Sequence, residues 1–261
     1  MKLVSKIIFL VLISFYSFSQ NKNSVFESVD AKILNLPAYK SDDLDTLSEL
    51  ITKDFSTESE KVRAVYVWVA NNISYNTEKY FAGRNRLSEL SGEQVEGESA
   101  EEIISSRQAV CEGYSNLLKA LCTKAGISCE VIEGIGRPEN DADLHAWNAI
   151  DIDGEWKLLD VTWSAGAVNM KNKKYYKSFS DQFFLSAPAE FIKTHYPFDP
   201  MWQLLLHPVN RNEYEAKKII SGDITIFQYS DSINSYLQQD SISQLIAACR
   251  RTYEYDSRNK I

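Results

Sequence analysis

Three residues of this chain are of the types and in the settings that nucleophilic chemistry needs: Cys111, His145 and Asp160. Cys111 opens a segment whose periodicity predicts a helix over residues 111–124, and a loop precedes it. A thiol there faces unpaired backbone N–H groups and the positive end of the helix dipole, which favours the thiolate. His145 lies in the run Leu144-His145-Ala146-Trp147-Asn148, which reads as strand, and Asp160 lies in a second strand-like run, Glu155 to Val161. Between the two runs stands Asp153-Gly154, a strong signal for a two-residue hairpin turn. Counting outward from that turn sets Asp160 opposite Trp147 and Thr162 opposite His145. Side chains alternate along a strand, so His145, Trp147 and Asp160 share one face, with His145 and Asp160 as diagonal neighbours. If the Cys111 helix packs on that face, the three become nucleophile, general base and orienting carboxylate. The Cys111 N–H would be one oxyanion donor, with Gln108 and Trp68 as weak candidates for a second. Singly, each of the three has an ordinary structural explanation: an inert buried thiol, a satisfied strand histidine, a strand-ending carboxylate. Their joint placement outweighs it.

The elements that must hold these residues are legible in outline. Leu44, Leu47, Leu50 and Ile51 recur at helical spacing over residues 41–53, with Ser41 as the cap. Thr57 and Glu60 form a capping box before Val62, Val65, Tyr66 and Val69, and Ser99 with Glu102 repeats the pattern before Ile103 and Ile104. Between them, Asn76 to Gly97 lacks periodicity and reads as a long loop. In the Cys111 helix, Leu117, Leu118, Leu121 and Cys122 fall on one stripe, and Gly126 stops it. Strand candidates follow at Ser128 to Ile135, Leu144 to Ile152 and Glu155 to Val161. Helices first and antiparallel strands afterwards argue for an α+β domain. The chain turns polar near Asn210, and periodicity from Ile233 to Tyr253 suggests a C-terminal helical appendage.

Four ordered segments resemble the core of the transglutaminase-like superfamily. They are Val110-Cys111-Glu112-Gly113-Tyr114-Ser115, Leu121-Cys122-Thr123-Lys124-Ala125-Gly126-Ile127, His145-Ala146-Trp147-Asn148, and Trp156-Lys157-Leu158-Leu159-Asp160-Val161-Thr162-Trp163. Farther on, Phe184-Leu185, Pro188, Phe191-Ile192, His195-Tyr196-Pro197 and Trp202-Gln203-Leu204-Leu205 resemble the extended region of the kyphoscoliosis-peptidase branch. The resemblance implies a papain-like, transglutaminase-like α+β core with the nucleophile helix packed on an antiparallel sheet, and catalytic Cys111, His145 and Asp160. One departure is Ala109 before Val110, where the family often carries glycine. On this reading residues 20–59 form a helical lead-in, 60–210 the transglutaminase-like domain with its extension, and 211–261 a polar, helical C-terminal segment.

Composition narrows the function classes. Of 261 residues, 44% are hydrophobic and 25% charged, and the net charge is −8, an ordinary globular balance that disfavours nucleic acid as a partner. Residues 1–19 read as a signal peptide: Lys2 and Lys6 precede the apolar run Ile7 to Tyr16, and Ser17-Phe18-Ser19 supplies a cleavage site. An exported protein, periplasmic or secreted, is expected, with no stable membrane insertion once the signal is cut. Four cysteines are too few for a disulfide scaffold. Cys122, Cys129 and Cys249 are expected as buried free thiols, with a Cys122–Cys129 bridge as the alternative. No cofactor and no metal are expected, since His195 and His207 belong to no ligand-spaced cluster; for His195, a packing role and a place near the cleft both stand. Asp151-Ile152-Asp153-Gly154 reads as a turn rather than a calcium loop. Trp147, Trp156 and Trp163 read as core and cleft wall. The expected activity is that of a cysteine-dependent amide-bond enzyme acting on a protein or peptide through a thioester. Hydrolysis and transamidation stay open, with a lean towards hydrolysis, and a catalytically silent binding module is the alternative. The sequence sets no oligomeric state.

Overall fold

The structure is a computed structural model that describes residues 25–89, 98–137, 142–217 and 229–257. The signal segment lies outside them. Helix α1 (25–34) buries Val29 and Ile33. Helix α2 (Leu44–Thr52) starts at Asp43, whose carboxylate accepts the Thr46 N–H at 2.8 Å. Ser41 is therefore not the cap; its hydroxyl accepts from the Asp43 N–H instead. Asp43 stands directly before the first helical residue, where its carboxylate reaches a free N–H of the first turn, and this sets the start two residues inward. Helix α3 (Glu58–Asn72) has the expected Thr57–Glu60 capping box and buries every residue from Val62 to Ala70.

Strand β1 (Ser74–Tyr75) leads into α4 (Thr77–Glu89), where the sequence reading had a loop. Asn76 supplies a local start, its side chain accepting from the Lys79 N–H at 2.9 Å. Residues 90–97 of that expected loop lie outside the described residues. Helix α5 (Ala100–Ser106) carries the second capping box, Ser99 with Glu102, and ends at Arg107 in the left-handed region. Strand β2 (Gln108–Ala109) then pairs in parallel with β1 and delivers the chain to α6 (Cys111–Lys124). The stripe Leu117, Leu118, Leu121 and Cys122 is buried, and Gly126 follows at φ +80, as a helix stop requires.

The main sheet runs β5-β4-β3-β8, with β3 (Cys129–Gly136), β4 (Asp143–Ile152), β5 (Glu155–Leu159) and β8 (His195–Pro197) all antiparallel to their neighbours. Asp153 and Gly154 form the tight turn, both at positive φ, and the ladder runs from Ile152↔Glu155 to Asn148↔Leu159, the counted register. It stops one pair short of Trp147. Asp160 leaves the strand to cap α7 (Val161–Ala165), and its backbone N–H bonds Phe183 O. Asp160 and Thr162 therefore do not pair with Trp147 and His145.

The two faces of this sheet hold two cores. Cys129, Ile150, Ile152 and Leu159 join the helices α2, α3 and α6. Ile132, Trp147, Ala149, Trp156 and Leu158 face the later chain, including Phe191 of α8 (Pro188–Phe191), Met201 and Trp202 of a 3-10 turn (Pro200–Gln203), and Ile233. The Cys111 helix thus lies against the face opposite to the one carrying Trp147 and, by alternation, His145. A small hairpin, β6 (Gly166–Asn169) with β7 (Lys174–Lys177), follows α7, and α9 (Arg211–Glu215) lies beyond the 3-10 turn. The single periodic run expected near the C-terminus is two helices, α10 (Ser230–Leu237) and α11 (Ser241–Ser257). Asp240 separates them by accepting from the Ile242 and Ser243 N–H groups. Arg251 on α11 grips Asp199, tying the appendage to the chain just after β8. Among the described residues no helix is long and apolar enough to cross a membrane.

Candidate active site

Asp160 is fully buried, and its carboxylate accepts four hydrogen bonds. Oδ1 takes the Thr162 and Trp163 backbone N–H groups at 2.8 and 3.1 Å, as the N-cap of α7. Oδ2 takes Nε2 of His145 at 2.8 Å and Nε2 of His195 at 3.1 Å. Burial works against the carboxylate charge, but His145 and then His195 more than offset it and hold Asp160 far below the usual carboxylate range.

The two histidines divide the roles. Burial pulls His145 down, but the charge and hydrogen bond of Asp160, and next the Cys111 thiol, carry it up to about 10. It is an imidazolium at neutral pH. His195 goes the other way: burial dominates, Asp160 offsets it only in part, and the His145 charge adds to the fall, to about 4. A neutral His195 that donates Nε2–H to Asp160 leaves Nδ1 as an acceptor, and the Thr194 hydroxyl stands 2.8 Å from it.

Cys111 is half-buried as the first residue of α6, after Val110. Its thiol is near enough to His145 to be among the groups that raise that imidazole. Because Nε2 serves Asp160, Nδ1 is the nitrogen left for sulfur. Residues 143–147 of β4 run past the end of β5, and there the helix on one face and the imidazole from the other come together. The condition set by the sequence, a helix on the His145 face, is not met, yet the contact forms at this open end of the sheet.

Aromatic rings enclose the pair. Trp163 stacks on His145, with centroids 4.6 Å apart and planes at 21°, and Phe191 stacks on His195 at 4.0 Å and 24°. Gly136 makes this packing possible. A Cβ there would lie 2.8 Å from His145 Cβ and 2.9 Å from Trp163 Cζ2, closer than carbon atoms pack. A cleft of about 670 Å³ opens beside His145, walled by Tyr75, Tyr80, Trp163, Tyr175 and Phe183. Trp147 and Trp156 sit in the core and Trp163 in the cleft wall, as the sequence suggests.

Other site expectations fare differently. Gln108 is exposed on β2 and Trp68 is buried in α3 beneath the Arg107 guanidinium; neither walls the cleft beside His145, and Cys111 lies outside that wall as well. His195 does belong to a cluster: its ligand atom and those of His145 and Asp160 lie within 4.8 Å of one another. Both imidazole N–H groups already fill that space as donors to the carboxylate, and a cation would have to displace them. Sequence reasoning missed this role because β8 reaches the site only by pairing with β3, where His195 stands opposite Gly136. The available signal was His195-Tyr196-Pro197 itself. All four cysteines are free; Cys122 and Cys129 are buried as expected, whereas Cys249 is exposed.

Residues 45–161 match the family model of the transglutaminase-like superfamily. Over that stretch, a little under half of its length, the chain is similar to transglutaminase-like domains, and its α+β fold packs the Cys111 helix on an antiparallel sheet. It is similar to human kyphoscoliosis peptidase, 28% identical over 180 residues that cover 66% of this chain and 26% of the relative. Its mouse counterpart is 29% identical over 199 residues, 73% of this chain and 28% of the relative. The chain thus spans about a quarter of the length of these curated relatives. Among solved structures, a candidate cysteine protease from Cytophaga hutchinsonii aligns with 51% of this chain and 41% of its own, at 27% identity and a TM-score of 0.36.

Proposed function

We propose that the chain is an exported cysteine-dependent amide-bond enzyme, in which Cys111 is the nucleophile, His145 the acid–base and Asp160 the carboxylate that orients it. The observation that carries this reading is His145 held by a four-fold bonded Asp160 carboxylate, with Cys111 among the groups that raise that imidazole. The Cys111 thiolate attacks the amide carbonyl, and the oxyanion forms beside the α6 N-terminus, where the Cys111 N–H is a donor. His145 gives its Nδ1 proton to the departing amine, which leaves a thioester on sulfur and a neutral imidazole. That imidazole then takes a proton from water, whose oxygen attacks the thioester; the C–S bond breaks, the carboxylic acid product departs, and the Cys111 thiolate and the His145 imidazolium are restored. Asp160 keeps Nε2 protonated throughout, so the nitrogen facing sulfur is the one that exchanges its proton.

A protein or peptide suits a cleft walled by tyrosine, tryptophan and phenylalanine. Lys2, Lys6 and the apolar run from Ile7 to Tyr16 support export. The test is the alkylation rate of Cys111 against pH, followed by peptide mass spectrometry, in wild type and His145→Ala. The expected result is a neutral-pH rate above that of a free thiol, lost in the variant. A rate no faster than a free thiol, unchanged by the substitution, would overturn the reading. With an activated Cys111, mass spectra of peptide mixtures with and without a primary amine separate hydrolysis, the outcome expected here, from transamidation.

A further inference from the structure

We propose that His195 is a positioning residue of this site, a second donor on Asp160 Oδ2 that locks the carboxylate onto His145; the inference rests on the triad reading above. His195 is only 1% exposed, so it does not meet substrate, and its effect must pass through Asp160. Its own ring is fixed on every side. The Thr194 hydroxyl stands at Nδ1, β8 pairs it with Gly136, Phe191 stacks against it at 4.0 Å, and Trp163 packs on it tilted at 4.4 Å. The β8 backbone beside it is held in turn, since Thr194 O accepts from the Tyr214 hydroxyl and the Arg137 N–H. A phenylalanine would fill this aromatic box without the cost of burying two ring nitrogens. The imidazole instead places one N–H at the only oxygen of Asp160 that also serves His145.

With this donor present, Oδ1 is held by the α7 N-terminus and Oδ2 by two imidazoles, so the carboxyl plane has no freedom to turn. Without it, Oδ2 keeps a single partner and shares the motion of His145, which must move its proton during turnover. The charged and titratable groups facing His195 are Asp160, the α7 cap, and His145 on β4. The remaining neighbours, Trp147, Trp163, Phe183 and Phe191, are uncharged rings.

The test compares His195→Phe, which keeps the aromatic packing and removes the donor, with His195→Gln, whose amide can restore the N–H. In the full chain, the alkylation rate of Cys111 by iodoacetamide is followed against pH. Phenylalanine should lower the neutral rate about tenfold and move the acid limb up by about one pH unit, because a carboxylate that loses a donor is protonated more easily. Glutamine should bring the rate back to within about threefold of wild type. A wild-type profile in His195→Phe, or a His195→Gln as slow as the phenylalanine variant, would overturn the proposal and leave His195 a packing residue. Should the phenylalanine variant not fold, as judged by circular dichroism, His195→Asn makes the same comparison, its shorter amide reaching Thr194 but not Asp160. Failure of the triad reading shows itself separately, as an unactivated wild-type Cys111 indifferent to His145→Ala.

Discussion

Acid should destabilise this protein through His195. The folded state holds that imidazole near 4, against an ordinary value of 6.5. Above pH 6.5 it is neutral folded and unfolded alike, and its contribution to stability is complete. As pH falls below that value the unfolded chain binds a proton that the folded chain refuses, and stability is lost until about pH 4. At about 1.4 kcal/mol for each pH unit between the two states, the full loss is on the order of 3 kcal/mol. The other two groups act elsewhere. His145, raised to about 10, contributes fully below its ordinary value of 6.5 and loses that contribution only as pH rises through about 10. Asp160, lowered from 3.8, contributes above that value and loses it as pH falls through its depressed one. Urea unfolding of wild type and His195→Gln at steps between about pH 7 and about pH 4.5 isolates the effect, since carboxylates common to both cancel. The wild type should lose about 2–3 kcal/mol more than the variant over that range. Parallel curves would refute the reasoning, because they would mean that His195 titrates normally.

Two substitutions probe the packing around the site. Gly136→Ala puts a methyl 2.8 Å from His145 Cβ, so the strand or the imidazole must shift. We expect a loss of about 1–3 kcal/mol in urea unfolding, together with slower Cys111 alkylation; an unchanged alkylation rate would show that His145 keeps its place. Arg63→Ala removes a guanidinium 3% exposed that pairs with Asp30 and Asp181 and lies over Phe26, Phe179 and Phe184. Allowing for its partly exposed partners, it should cost on the order of 3 kcal/mol in the same assay, and a change under about 1 kcal/mol would refute the pairing as a fastener of α1.

Local rules carried much of the fold. The Thr57–Glu60 and Ser99–Glu102 boxes, the helix from Cys111 and the Asp153-Gly154 turn each rest on a few neighbouring residues, and each stands in the structure. Helix α4 was not legible because its apolar residues form no regular stripe and its start depends on one side-chain bond, that of Asn76. The diagonal relation of His145 and Asp160 followed from period-two counting, although Asp160 reaches it as a helix cap rather than a ladder residue. The face occupied by α6 was beyond counting, since it is decided by which side of the sheet the helices of residues 44–124 bury. His195 needed a pairing between β3 and β8, a contact set by the tertiary fold.

The tight turn at Asp153-Gly154 has a further consequence. Asp160 lands beside His145 only because the β5 segment has its present length measured from that turn. The hairpin is therefore a ruler for the site. Insertion or deletion of one residue within β5 would invert the parity of everything after it and turn the carboxylate towards the α6 side of the sheet. Substitutions that keep Trp156, Leu158 and Leu159 apolar can be tolerated there, but a change of length cannot. Related chains that keep this chemistry should vary at the outward positions of this segment, Glu155 and Lys157, and not in its count.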